Sequence, residues 1–273
     1  MPTDRPNLAG LPTRIRLVEP IGAGGSATVW RARDTQVGRD LAVKVIGAVP
    51  GVDPALRSER LEREGRALTR LRHVEGVVAL HEIGVTSEGT AWIVMDLAAQ
   101  GSLRDRLATG AVVLDTRVLG ARLATTLAHA HSVDVVHGDI SPANVLFDAL
   151  DAPLLVDFNM AVILGEGRGA HNPSGCTPAY AAPERLRGAP PDRPSDVHAL
   201  AATLAEVAGR SVLDGSVTDD AVGDVGLVAA LASATSEGSA DRPTASEFAV
   251  LLGVSATDLP GAERRGRAFR RRR

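Results

Sequence analysis

Two acids and an amide occur close together in one stretch, VHGDISPANVLFDALDAPLLVDFN (Val136–Asn159): Asp139, Asn144 and Asp157. Carboxylate and amide oxygens are hard donors suited to a divalent cation, leaving one acid to orient a hydroxyl. Elsewhere the chain holds 30 Lys plus Arg, of which Lys44 is the single lysine. A compact ammonium that must reach a phosphate in a tight pocket is not replaced by the forked guanidinium, which singles out Lys44. The segment IGAGGSATV carries Gly22, Gly24 and Gly25. In such a turn, backbone N–H groups approach phosphate oxygens without side-chain obstruction. On its own that is a weak signal, because most glycine-rich turns are structural.

These groups need elements to bring them together. Residues 14–46 alternate as strands (RIRLVEPIG, ATVWRARD, DLAVKVIG) separated by Gly and Pro, the pattern of an antiparallel meander. A strand follows the glycine turn, which excludes a dinucleotide-binding βαβ turn. Residues 54–72 show helical spacing through Leu56, Leu61, Leu68 and Leu71. Glu64, twenty positions after Lys44, meets it if that helix packs on the sheet. VVALHEIGV and TAWIVMDLA read as two further strands, and 102–109 and 115–132 as helices. The 136–159 stretch reads as a short strand, a loop, a hairpin and a second loop. Residues 195–208 form a near-continuous apolar helix whose early acid, Asp196, is expected to cap it. Helices at 221–235 and 244–252 complete the chain.

Composition bounds the function. The chain has 273 residues, 44% hydrophobic and 23% charged, which suits one large domain or two small lobes with an ample core. A net charge of −3 argues against general nucleic-acid binding. One cysteine, Cys176, excludes an internal disulfide framework and a cysteine-based zinc site. The histidines show no metal-ligand spacing; His129 and His131 do not share a helix face. Residues 1–13 are polar and Pro-broken, without the apolar core of a signal peptide, and no run is long enough to span a bilayer. Disorder over 1–13 and a cytoplasmic location are the expectations.

In order, IGAGGSATV, AVK (42–44), HGDISPAN (137–144), DFN (157–159), TPAYAAPE (177–184), SDVHAL (195–200) and DRP (241–243) resemble the eukaryotic-type protein kinase family in its bacterial Ser/Thr branch. The resemblance covers residues 14–253. It implies an α+β, two-lobed fold: a small antiparallel N-lobe with one main helix (14–95), a hinge (96–101) and a larger, mainly helical C-lobe (102–253). It also implies ATP and Mg²⁺, with Mn²⁺ as a substitute, and a protein substrate. By the same resemblance Lys44 would bind the α- and β-phosphates and pair with Glu64. Asp139 would be the catalytic carboxylate that accepts or orients the substrate hydroxyl, and Asn144 and Asp157 would hold the metal. Ile21 and the turn glycines would cover the nucleotide. Met95 would be the gatekeeper, Asp96 to Ala98 would present backbone to adenine, and Val29, Ala42 and Leu146 would sandwich the ring. Leu68, Leu80, His137 and Phe158 would stack as an internal spine, Glu184 would pair with Arg242, and Asp196 would brace the catalytic loop.

Several residues depart from the family pattern. His137-Gly138-Asp139 lacks the arginine that reads activation-loop phosphate, so activity is expected not to depend on phosphorylating that loop. Ser141 stands where Ser/Thr kinases carry a phosphate-contacting lysine, and losing one such preorganised donor typically costs ~3 kcal/mol of transition-state stabilisation. Asn159 replaces the glycine of Asp-Phe-Gly, and Cys176 the glycine before Thr177. The spacing between the 195–208 helix and DRP leaves little room for the helix that often docks substrates. Two other readings stay open: a nucleotide-binding pseudokinase with a scaffold role, and a small-molecule kinase of the aminoglycoside phosphotransferase type, whose loops also read HGD followed by Asn. Beyond 253, ERRGRAFRRRR (263–273) reads as a solvated basic end, or as a contact for anionic membrane or an acidic partner.

Overall fold

The computed structural model describes residues 8, 10–23, 27–46, 62, 64–86, 90–110, 115–165, 176–209 and 224–255. Gly24, Gly25, residues 54–61, the 210–223 interval and the tail from 256 onward lie outside the described residues.

The N-terminal strands β1 (Ile15–Ala23), β2 (Ala27–Asp34) and β3 (Arg39–Ile46) form the antiparallel meander that alternation demanded. With β4 (Leu80–Val85) and β5 (Ala91–Asp96) they make a five-stranded sheet in the order β1-β2-β3-β5-β4. Trp30, Leu41, Val43, Trp92 and Val94 fill one face. Leu8 is buried in that same cluster and Leu11 packs against it, so ordered packing begins before residue 14. On the other face, Lys44 on β3 stands opposite Val29 on β2 and Ile93 on β5. Helix α1 (residues 64–70) buries Glu64, Ala67 and Leu68 on one side and leaves Arg66 and Arg70 outside, as its periodicity requires.

The larger half is helical. Helix α2 (Leu103–Thr109) starts with a reciprocal capping box between Ser102 and Asp105. Helix α3 (Thr116–Ser132) is capped by Asp115, and α5 (Arg193–Val207) runs through the core with residues 195–205 buried. The cap of α5 is Asp192, boxed with Ser195, and not Asp196; the expected capping role of Asp196 is corrected here. Two acids four residues apart precede this apolar run, and the earlier one sits before Pro194, where a helix begins. Helices α4 (Pro183–Leu186), α6 (Val225–Ala234) and α7 (Ala245–Leu251) complete the layer.

Between the two halves lie two small ribbons that carry the chemistry-bearing loops. Strand β6 (Val135–Val136) pairs with β9 (Val162–Ile163), and β7 (Val145–Phe147) with β8 (Pro153–Leu155). Asp139 and Asn144 lie between β6 and β7, and Asp157 between β8 and β9. The ribbons are anchored by Val135, Val145, Phe147 and Leu155, all essentially inaccessible in the main core. The fold is thus α+β and two-lobed. Among the described residues no helix is long and apolar enough to cross a membrane.

Candidate active site

Lys44 is the hub. Its Nζ donates to Glu64 Oε1 at 2.9 Å and Oε2 at 3.2 Å, and to Asp157 Oδ1 at 2.7 Å. Lys44 is 8% exposed and Glu64 2%. Burial by itself would pull the lysine pKa down, but the two carboxylates overcome that and hold it above its ordinary value. Burial pushes Glu64 upward, against the pull of the same ammonium. One cation therefore serves two acids, one from the N-lobe helix and one from a C-lobe loop.

A cleft of about 640 Å³ opens beside this hub. Ile21, Gly22 and Val29 line its upper wall, with Ala42 and Lys44 from β3. Met95, Asp96 and Ala98 line the connection between the lobes, and Leu146, Asn144 and Asp157 the lower wall. Every candidate ligand-binding residue among the described ones except Asp139 therefore faces one cavity. Two further lining residues, Ser102 and Asp105, were not singled out in the sequence. The S-x-x-D spacing of their capping box was the available signal. Ser102 holds the Asp105 carboxyl below its usual range.

Asp139 sits next door, on a separate small cavity shared with Cys176, Thr177, Tyr180 and Arg185. Asn144 joins the two spaces: its Nδ2 donates to the Asp139 carbonyl at 2.8 Å and to Oδ2 at 3.2 Å. The other carboxylate oxygen of Asp139 accepts the Thr177 backbone N–H at 2.7 Å. No reading of side chains could have found that last contact, since the donor is main chain.

The loop that presents Asp139 is braced from below. Asp196, 1% exposed, accepts the N–H of His137 at 2.7 Å and of Gly138 at 2.8 Å, and His131 Nε2 donates to it at 2.9 Å. His137 Nε2 donates to the Val156 carbonyl while Nδ1 accepts the Asp139 N–H, which fixes the ring. The ring lies 4.6 Å from that of Phe158. Leu68 and Phe158 belong to one buried cluster, with Leu80 packed against it. Gly138 has φ +83°, and a Cβ there would lie 2.8 Å from the Met160 carbonyl oxygen and 3.1 Å from Pro191. Position 138 thus has no room for a side chain. Asp157 itself is left-handed at φ 65°, ψ 66°, a conformation that costs a non-glycine residue roughly 1–3 kcal/mol and persists where surroundings enforce it.

Ser141 is 0% exposed, and its Oγ finds no hydrogen-bond partner among the described residues. Farther off, Arg242 grips Glu184 through Nη1 at 2.6 Å and Nη2 at 2.9 Å, and gives its remaining donors to the carbonyls of Pro194, Ser236 and Glu237.

Chemically the arrangement offers an ammonium between two acids, oxygen donors from Asp157 and Asn144, and a held carboxylate at Asp139. That donor set is all hard oxygen and suits Mg²⁺, which is typically bound by one or two protein carboxylates together with substrate phosphates. Comparison with known proteins points the same way. Residues 15–247 match the sequence model of the protein kinase domain. The chain is 36% identical over 189 residues to the serine/threonine-protein kinase PknK of Mycobacterium tuberculosis, covering 68% of this chain and 17% of that protein. It is 37% identical over 206 residues to the DNA damage-responsive serine/threonine-protein kinase RqkA of Deinococcus radiodurans, covering 71% and 30%. A probable serine/threonine-protein kinase, PknB of Corynebacterium glutamicum, is 31% identical over 213 residues, covering 74% and 32%. The chain thus spans under a third of the length of these relatives. With the match spanning most of the sequence and the site assembled from both lobes, the chain belongs to the protein kinase domain family.

Proposed function

We propose that this chain transfers the γ-phosphate of ATP to a serine or threonine hydroxyl of a protein. The observation that carries this reading is the Lys44 ammonium bonded to both Glu64 and Asp157 across the mouth of the cleft. In this reading ATP lies in the cleft with its adenine against Val29, Ala42 and Leu146, and Lys44 meets the phosphates. Asn144 and Asp157 would hold Mg²⁺, which supplies charge neutralisation at the β- and γ-phosphates. Asp139 orients the acceptor hydroxyl and takes its proton, and Asn144 holds the Asp139 carboxylate in place. The catalytic contribution of the protein is positioning and electrostatics.

The test is incubation of pure protein with labelled ATP and Mg²⁺ or Mn²⁺, beside Asp139→Ala. Label on the protein or on a protein acceptor that vanishes in the variant supports the reading. ATP binding with no Asp139-dependent transfer would replace it with a nucleotide-binding scaffold. The specific observation favouring that second reading is Ser141, too buried to supply the donor that a lysine there would extend to the phosphate. Label on a small molecule alone would favour the aminoglycoside-type kinase; the Glu184–Arg242 clamp within the TPAYAAPE and DRP motifs speaks for a protein kinase. The arginine-rich tail is proposed as an anionic-surface contact, to be tested by deleting residues 263–273 and measuring vesicle binding.

A further inference from the structure

The small cavity beside Asp139 has a charged wall that phosphoryl transfer has not used. Arg185 is 3% exposed, and its Nη1 donates to the Ala189 carbonyl. Its Nε and Nη2 have no hydrogen-bond partner among the described residues. Those two nitrogens share one edge of the guanidinium plane, so that both can donate to a single anionic oxygen. A buried cation satisfied by a single carbonyl is costly unless an anion reaches it. The acids around the cavity are already engaged. Asp139 is held by Thr177 and Asn144, and Asp196 by His137, Gly138 and His131. Glu184, next to Arg185 in sequence, is clamped by Arg242. Among the described residues Arg185 remains an unmatched charge beside Asp139.

A second guanidinium acts by its charge on one residue of that wall. Arg104 on α2 is exposed, and no hydrogen bond or ion pair holds it among the described residues. It is close enough to act electrostatically on the hydroxyl of Tyr180, which lines the cavity with Arg185. The acid on that side, Glu206, has one oxygen occupied by the Tyr180 hydroxyl.

We infer that Arg185 and Arg104 select acceptor hydroxyls flanked by acidic residues, so that the substrate is a Ser or Thr within an acidic protein segment. The cavity, about 10 Å³, has room for a single oxygen-sized group. One carboxylate oxygen of a neighbouring substrate residue enters it while the rest of that side chain stays at the mouth beside Tyr180. The inference rests on the kinase reading and adds the substrate class to it.

The experiment uses the full chain with Mg-ATP and Ser-centred peptides whose acceptor is followed by runs of Glu, of Ala or of Arg. A charge-assisted fork predicts kcat/KM for the Glu peptide about tenfold above the Ala peptide, with the margin shrinking as NaCl rises from ~0.05 to ~0.5 M. Arg185→Gln and Arg104→Glu should each collapse the Glu-to-Ala ratio through KM, while the directly titrated affinity for ATP stays within twofold. Arg185→Lys should restore part of the ratio, since it returns the charge without the fork. If Arg185→Gln fails to fold, the exposed Arg104→Glu still decides. A preference for the Arg peptide, or a ratio unmoved by Arg104→Glu, would overturn the inference and leave the kinase reading intact. If no peptide is labelled, the kinase reading is what fails. Anisotropy of a fluorescent Glu peptide then decides the charge selection: salt-sensitive binding lost in Arg104→Glu upholds it, and no binding ends it.

Discussion

Two ion-pair centres among the described residues, at Arg242 and at Lys44, differ in how completely they are satisfied. At Arg242 the pair is closed: two bonds go to Glu184 and three to main-chain carbonyls, so every part of the fork has a fixed partner. At Lys44 one ammonium is shared between Glu64 and Asp157, and the second acid is a third exposed, its side chain reaching 34% accessibility. A closed pair is an architectural joint. A shared one can be rearranged when another anion enters, because Lys44 can exchange one of its oxygens for that of a phosphate at little cost.

This contrast predicts that the two centres fail differently. The largest effect belongs to Lys44→Met: phosphoryl transfer should fall by about 10³-fold, and the melting temperature should fall too, because Glu64, 2% exposed, loses its cation. An unchanged transfer rate would deny the cleft its proposed chemistry. Next comes Glu184→Ala, which strands the Arg242 guanidinium and should destabilise the fold by about 3 kcal/mol, roughly 6–12 °C in Tm. Denaturant titration checks it, and a loss under ~0.5 kcal/mol, the ordinary range for surface changes, would make the two centres alike. Smaller again is Gly138→Ala. Strain at positive φ together with the approach to Met160 should cost about 2 kcal/mol and slow transfer, because the residue lies in the loop Asp196 braces. An unchanged Tm would show that the Met160 turn yields.

The smallest effect is a pH dependence. Burial alone would raise the Glu184 carboxyl, but its bonds to Arg242 reverse this and hold it below the usual range. A depressed folded pKa stabilises fully above the unfolded value, about 4.3, and that stabilisation is lost as pH falls through the folded pKa. Melting temperature should therefore drop on acidifying below ~4 in wild type and more gently in Glu184→Gln. Parallel curves would remove the carboxylate from the account.

How much of this was legible in sequence depends on which atoms make the contact. Lys44 stood out as the one lysine, and its spacing from Glu64 on a helical face anticipated the pair. The ribbon around Asp139 and Asp157 followed from short apolar runs broken by polar loops. Asp196 was read correctly as a brace through family likeness and wrongly as a cap through local pattern, because capping depends on which acid precedes the first helical turn. Leu8 and Leu11 pack on the sheet although their surroundings are polar; two isolated leucines have no periodicity to reveal them. The Thr177 N–H on Asp139 is main chain, and the unpartnered edge of Arg185 depends on burial, so neither carries a signature in residue types.

The solitary lysine has a practical consequence for anyone handling the protein. Apart from the α-amino group, the sequence offers a single primary amine to acylating reagents, and that amine sits 8% exposed inside the cleft. A raised pKa keeps it protonated and sluggish towards such reagents. Amine modification of a side chain therefore becomes a one-site report on occupancy of the cleft, with the α-amino group as the single competing amine in the sequence.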